Sequence, residues 1–238
     1  TRFGYVGKKG GFDPLAELGG SLLQAQANSE ECAEVIPVEA NVTTLRVTNS
    51  SLAFGLVEAI SDEDLLAIRD AQPIEQRGEA HMVPTFEGPT DPLRVGRFGW
   101  KAQVATVLTF SADAAQNEMG LSNRFLPFDN APNGNEELLE NCDTVADPED
   151  GPDVDGFDFI DRVTDFQRFL APPPQTPRTG MAGELVFNAI GCNVCHTPEF
   201  TTSNDPLLEQ QLRNVVIRPY ADWLLHDMGL GGDGIVQG

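Results

Sequence analysis

Five consecutive residues, Cys192-Asn193-Val194-Cys195-His196, restrict this 238-residue chain more than any other feature. Two cysteines three apart on a tight turn present their thiols to the two vinyl groups of one porphyrin. The adjoining histidine then falls beneath the ring, where it reaches the iron. The chain holds four Cys and three His, so chance would produce this pattern in roughly one such sequence in a thousand. A thioredoxin-like dithiol also uses Cys-x-x-Cys, but it normally follows a strand and opens a helix; here a helical stretch comes first. A zinc site needs four soft ligands, and Cys32, Cys142, His81 and His226 would have to converge on the motif from distant parts of the chain. The motif therefore predicts one covalently attached haem c on Cys192 and Cys195, with His196 as an iron ligand. It points to electron transfer or haem redox catalysis.

The residues on either side agree. Thr179 can cap a helix whose inward face is Met181, Leu185 and Ala189 and which ends at Gly191. The run Gly183-Glu184-Leu185-Val186-Phe187 followed by Ile190-Gly191-Cys192 resembles the helix that precedes the attachment site in small c-type cytochromes. That resemblance implies a few helices wrapped around the haem and a second axial ligand, usually Met, arriving from downstream. Downstream lie Leu224-Leu225-His226-Asp227-Met228-Gly229. The thioether of Met228 suits low-spin iron, with packing against the haem edge as its plainer role, and His226 is the rival ligand.

Charge narrows the partners. With 37 acidic against 15 basic residues, the formal charge is -22, a field that repels nucleic acid and anionic membrane surfaces and favours a small basic redox donor. Solubility or adaptation to salt is the bland explanation. No apolar run approaches the roughly 18 to 20 residues of a membrane span. Two cysteines remain outside the motif, and because c-type haem is attached outside the bacterial cytoplasm, Cys32 and Cys142 lie where disulfides persist. A bridge between them and a pair of buried free thiols are about equally expected. The chain starts at Thr1 without an initiator Met, which suggests a removed leader or a fragment.

Along the chain, residues 35–48 alternate in part like a strand, or form an extended loop. Ser61 caps a helix beginning at Asp62, with Asp64 at the capping-box position. A Gly- and Pro-rich loop fills 73–99, and Lys101–Phe110 reads as a helix. From Asp143 to Asp158 an acidic, Gly- and Pro-containing stretch reads as a linker. Asp153, Asp155 and Asp158 offer oxygen ligands to calcium there, although the spacing does not match an EF-hand and a solvated turn is the plainer expectation. Phe157, Ile160, Val163, Phe166, Phe169 and Leu170 then recur at helical spacing until Pro172-Pro173-Pro174.

Several segments together resemble the bacterial di-haem oxidoreductase family, a peroxidase-like group also labelled thiol oxidoreductases and related to di-haem cytochrome c peroxidases. They are Phe12–Leu22, Phe54–Ile60, Gly96-Arg97-Phe98-Gly99-Trp100-Lys101-Ala102, Asn117-Glu118-Met119-Gly120, the cysteine motif with Thr197-Pro198, and Leu225–Gly229, in family order. The family carries two haem motifs and this chain has one, so the chain resembles the middle of a longer protein, with the second haem either on a segment outside it or absent. In the related peroxidases a Trp lies between the haems and a Glu beside the first haem moves peroxide protons. Trp100 and Glu118 are similar to these by position, and carboxylate-assisted proton transfer is what cleavage of a peroxide bond requires. Each also has a duller reading, Trp100 as a core anchor and Glu118 as a surface carboxylate. His81 sits where some relatives place a removable haem ligand, with an exposed or core His as the plainer reading.

These observations predict a mainly α fold built from cytochrome-c-like haem modules with long irregular loops. The expected modules are 1–150, the remainder of an N-terminal haem region, and 151–238, which carries the motif. The function expected is a periplasmic or exported haem oxidoreductase, peroxidase-like and fed by a small redox protein. The alternative is a pure electron-transfer subunit of a larger complex.

Overall fold

The computed structural model describes residues 1–24, 26–87, 93–174 and 182–236. Among them are six α-helices: α1 (Phe54–Glu58), α2 (Asp62–Ala71), α3 (Val107–Met119), α4 (Glu136–Cys142), α5 (Phe159–Arg168) and α6 (Glu184–Ala189). Seven short strands accompany them: β1 (Arg2–Val6), β2 (Phe12–Asp13), β3 (Val42–Thr44), β4 (Met82–Val83), β5 (Arg94–Val95), β6 (Phe200–Thr201) and β7 (Val216–Ile217). The mainly α expectation is corrected accordingly. No described helix exceeds 13 residues, and turns and irregular segments carry much of the rest, as the chain's 23 Gly and 17 Pro would impose. Thr179 and Met181 lie outside the described residues. The chain divides into two compact units, each assembled from separate segments, and position 150 falls inside one of these segments.

The first unit comprises Thr1–Thr48, Ser111–Arg162 and Met228–Gly238. Its sheet has the order β2-β1-β3, antiparallel throughout, with Tyr5 opposite Asp13 and Phe3 opposite Thr43. The Gly-rich start has a direct purpose: Gly10, at φ 85, makes the tight β1–β2 turn that returns the chain. Phe3 on β1 is fully buried. Cys32 and Cys142 are joined by a disulfide across 110 positions, which ties a 3₁₀ turn to the end of α4. Asp150, from the expected linker, is buried and accepts the first amides of α5 from Phe159 and Ile160, a capping role that fixes this acidic stretch to the fold. Asp153 and Asp155 pair with Arg162, and Asp158 pairs with Arg124. The carboxylates considered for calcium are thus engaged by arginines. Of the apolar series foreseen for α5, Ile160 is buried whereas Phe157, Phe166 and Phe169 are exposed.

The second unit comprises Asn49–Phe110 and Val163–Asp227. Its main core gathers Leu56, Ile60, Leu65, Val95, Phe200 and Ile217, and a smaller aromatic cluster holds Phe54 and Phe98. Helix α2 begins as foreseen, with the Ser61 hydroxyl accepting from the Asp64 amide. The predicted helix over 101–110 is displaced. Residues 98–104 instead form a tight reversal in which Phe98 bridges Val104 and Ala102 adopts φ 49, and α3 starts only at Val107, where the Thr106 hydroxyl accepts from the Thr109 amide. A Cβ on Gly96 would lie 1.8 Å from the Ala102 carbonyl oxygen, so only glycine lets this reversal close. Arg97 is buried and donates to the carbonyls of Ile60, Glu58 and Val95 while pairing with Asp62. Burial opposes the charge on Asp62, yet Arg94 and Arg97 hold its carboxyl below the usual range. The Gly96–Ala102 segment is therefore structural as far as Arg97 is concerned.

Candidate functional site

Helix α6 delivers the cysteine motif. It is followed by Gly191 at φ 84, a left-handed residue that turns the chain into a 3₁₀ turn at Cys192–Val194. The His196 amide donates to the Cys192 carbonyl at 2.9 Å, which closes the loop. Cys192 and Cys195 are free and half-buried. Burial and the nearby Asp222 carboxylate push the Cys195 thiol up from its ordinary value, the opposite of what a nucleophilic dithiol requires.

The imidazole is oriented from behind. His196 Nδ1 lies 3.0 Å from the Tyr220 carbonyl oxygen, an arrangement that fixes the tautomer and leaves Nε2 as the free electron-pair donor. Phe187 of α6 packs edge-on against Tyr220 and flanks His196, with ring centroids 5.4 and 6.3 Å apart respectively. Tyr220 and Trp223 both adopt positive φ, 52 and 55, strained values for aromatic residues. They bracket Asp222, which is 4% exposed and accepts from His226 Nε2 at 2.8 Å and from Gln72 Nε2 at 2.7 Å. His226 Nδ1 faces the Gln76 carbonyl at 3.2 Å and Cys195 Sγ at 3.7 Å. Both ring nitrogens of His226 are thus occupied within the chain, whereas Met228 is 72% exposed.

Next to the cysteine loop, α6 carries apolar side chains that are exposed among the described residues. Leu185, Val186 and Ile190 are 80, 60 and 71% exposed, which corrects the expectation that Leu185 and Ala189 form an inward face, since Ala189 is exposed as well. An apolar face of this kind calls for an occupant. Two thiols, one imidazole nitrogen and this face fit a porphyrin. Cys192, Cys195, His196 and His226 do not form a metal-ion cluster. Among the described residues the one group whose ligand atoms lie close enough for an ion is Asp129, Asp147 and Glu149.

The remaining predicted residues are placed as follows. Trp100 is half-buried in the reversal after Gly99, and His81 sets Nδ1 3.0 Å from the Lys101 carbonyl oxygen. Glu118 is exposed near the end of α3. Its neighbour Asn117 donates to Asp113 and accepts from Asn130, and it lines a polar cleft of about 300 Å³ with Arg2, Ser21 and Glu136. Gln72 and Asp222 went unrecognised in the sequence. The four-residue step from Asp222 to His226 was the available signal for one of them; nothing local marks Gln72.

No described helix is long and apolar enough to cross a membrane. Neither the curated proteins nor the solved structures include a match to this chain. A family model described as "Di-haem oxidoreductase, putative peroxidase" matches residues 26–238, which takes in the reversal around Arg97, the cysteine motif and the segment that orients its histidine. The chain belongs to the di-haem oxidoreductase family, and haem is the cofactor that membership implies.

Proposed function

We propose that this chain is a c-type haem redox protein in which Cys192 and Cys195 hold the porphyrin by thioethers and the His196 Nε2 atom ligates the iron. Bound there, haem supplies a one-electron redox centre. The residues do the rest: the Tyr220 carbonyl keeps the imidazole turned, Phe187 flanks it, and Leu185, Val186 and Ile190 would keep water from a bound ring. Both nitrogens of His226 have partners within the chain, which makes that side chain the weaker candidate for a second iron ligand. The observation that carries this reading is the His196–Tyr220 contact beside two free thiols and an exposed apolar face.

The peroxidase-like role fits the family description, with electrons passing by Trp100 to a second haem outside this chain. The exposure of Glu118 favours the alternative for this chain by itself, an electron-carrier subunit without its own substrate. The Cys32–Cys142 bridge supports a periplasmic or exported location, because such bonds persist in oxidising compartments. Calcium is not part of the proposal.

Two measurements test it. A pyridine haemochrome spectrum on denatured protein should show thioether-linked haem, lost in Cys192→Ala/Cys195→Ala; free thiols in the wild-type protein would end the proposal. Where peroxide turnover is present, Glu118→Gln should lower it about 100-fold if Glu118 is the proton carrier; unchanged turnover would rule Glu118 out of that role, and a haem-loaded chain with no peroxide turnover would be an electron carrier.

A further inference from the structure

Gln72 directly follows α2 and is only 6% exposed. Its side-chain nitrogen donates both hydrogens, to the Val194 carbonyl at 2.9 Å and to Asp222 Oδ2 at 2.7 Å. Its oxygen accepts from the Gly78 amide at 2.8 Å. Val194 stands between the two cysteines of the motif. Asp222 belongs to the segment whose Tyr220 carbonyl orients His196, and its Oδ1 accepts from the Leu224 amide. Gly78 completes the arrangement: a Cβ there would meet Leu224 Cβ at 2.5 Å and His226 Cε1 at 2.8 Å, so the chain whose amide donates to Gln72 can approach only as glycine. Three segments distant in sequence therefore meet on one buried carboxamide.

We infer that Gln72 is a positioning residue for the cysteine loop: by locking the Val194 carbonyl to the Asp222 carboxylate it fixes the plane in which Cys192 and Cys195 present sulfur and His196 presents Nε2. The loop's own ring of bonds, from the Val194 amide to Gly191 and from the His196 amide to Cys192, sets its internal shape. It does not anchor the loop to the segment that turns the imidazole; Gln72 does. The carboxamide also compensates the buried charge of Asp222 next to Cys195, which an apolar side chain of equal length cannot do. The consequence for the iron rests on the haem reading above; the consequence for the loop does not.

Gln72→Met keeps length and removes the side chain's hydrogen bonds to Val194, Asp222 and Gly78, and Phe98→Leu, in the separate aromatic cluster, controls for general destabilisation. In haem-free protein, amides 193–196 and 221–226 of Gln72→Met should exchange hydrogen about tenfold faster or more, beyond the change in the control. In haem-loaded protein, the same variant should lower the midpoint potential, because Asp222 is left less compensated beside the oxidised centre, and should broaden the low-spin electron paramagnetic resonance signal. Wild-type exchange in the haem-free variant, or wild-type potential and signal in the loaded one, would overturn the inference. Gln72→Asn, one methylene short, carries the same expectations if the methionine variant does not fold. Absence of haem from the wild-type protein would instead sink the functional reading, while the exchange measurement would still decide the role of Gln72.

Discussion

Individual side chains here are set by what surrounds them, and Asp129 is the case where this yields a measurable pH dependence. Burial, then the carboxylates of Glu149, Asp147 and Asp143, push its carboxyl up from the ordinary value to about 6. A raised carboxyl pKa means the folded state binds the proton more tightly than the unfolded chain does. The penalty is therefore absent below the unfolded value, grows as pH rises, and is complete above the folded value. Asp129→Asn removes the charge and keeps the shape. Denaturant melts should show variant and wild type equally stable well below the unfolded value of 3.8, with the variant gaining across the interval up to about 6 and holding that gain above it. A gap independent of pH would mean that the carboxylate cluster is not the cause. The thiol site has the opposite character, since Cys195, His196 and His226 are each held by specific partners: His226, the Tyr220 carbonyl, and Asp222 with the Gln76 carbonyl.

At the scale of elements, the clearest dependence is the link between α4 and the 3₁₀ turn at Glu30–Cys32. A bridge spanning 110 positions removes a large share of the unfolded chain's freedom, about 4 to 5 kcal/mol in the loop-closure treatment, with measured values for native bridges nearer 2 to 5. Cys32→Ser/Cys142→Ser should lower unfolding stability by that range, read from denaturant melts of the first unit's signals; a loss below about 1 kcal/mol would mean that packing alone holds α4. The pairing itself was legible in the sequence only as an even choice, because spacing does not determine which distant segments meet. What local chemistry governs was legible: the Ser61 cap, the approximate span of α5, and the cysteine loop with its preceding turn. The start of α3 was not, because Lys101–Ala105 have helical composition but are pulled into the reversal by the Phe98–Val104 bridge and the close approach at Gly96. Leu185 was misjudged because apolar periodicity shows which face needs cover and not whether protein or cofactor provides it. Gln72 was invisible, since its importance comes from three contacts made across 122, 150 and six positions.

For the molecule as a whole, under the proposed redox function the formal charge of -22 would bear on how a redox partner finds it rather than on how it folds. Fields from so many carboxylates add at long range and steer oppositely charged partners, raising the rate of encounter well above that of neutral pairs. Screening shortens that reach: the Debye length falls from about 30 Å at 0.01 M salt to about 8 Å at 0.15 M. A basic c-type cytochrome should therefore reduce the haem-loaded chain with a second-order rate that drops on the order of tenfold across this salt range. An acidic donor of similar potential should react slowly at low salt and speed up as salt is added. Stopped-flow reduction with the two donors in parallel separates steering from any general effect of salt on the haem, because such an effect would move both rates in the same direction. If the basic donor's rate is flat with salt, the acidic surface is serving solubility alone, and the donor must recognise the chain through uncharged contacts around the cysteine loop.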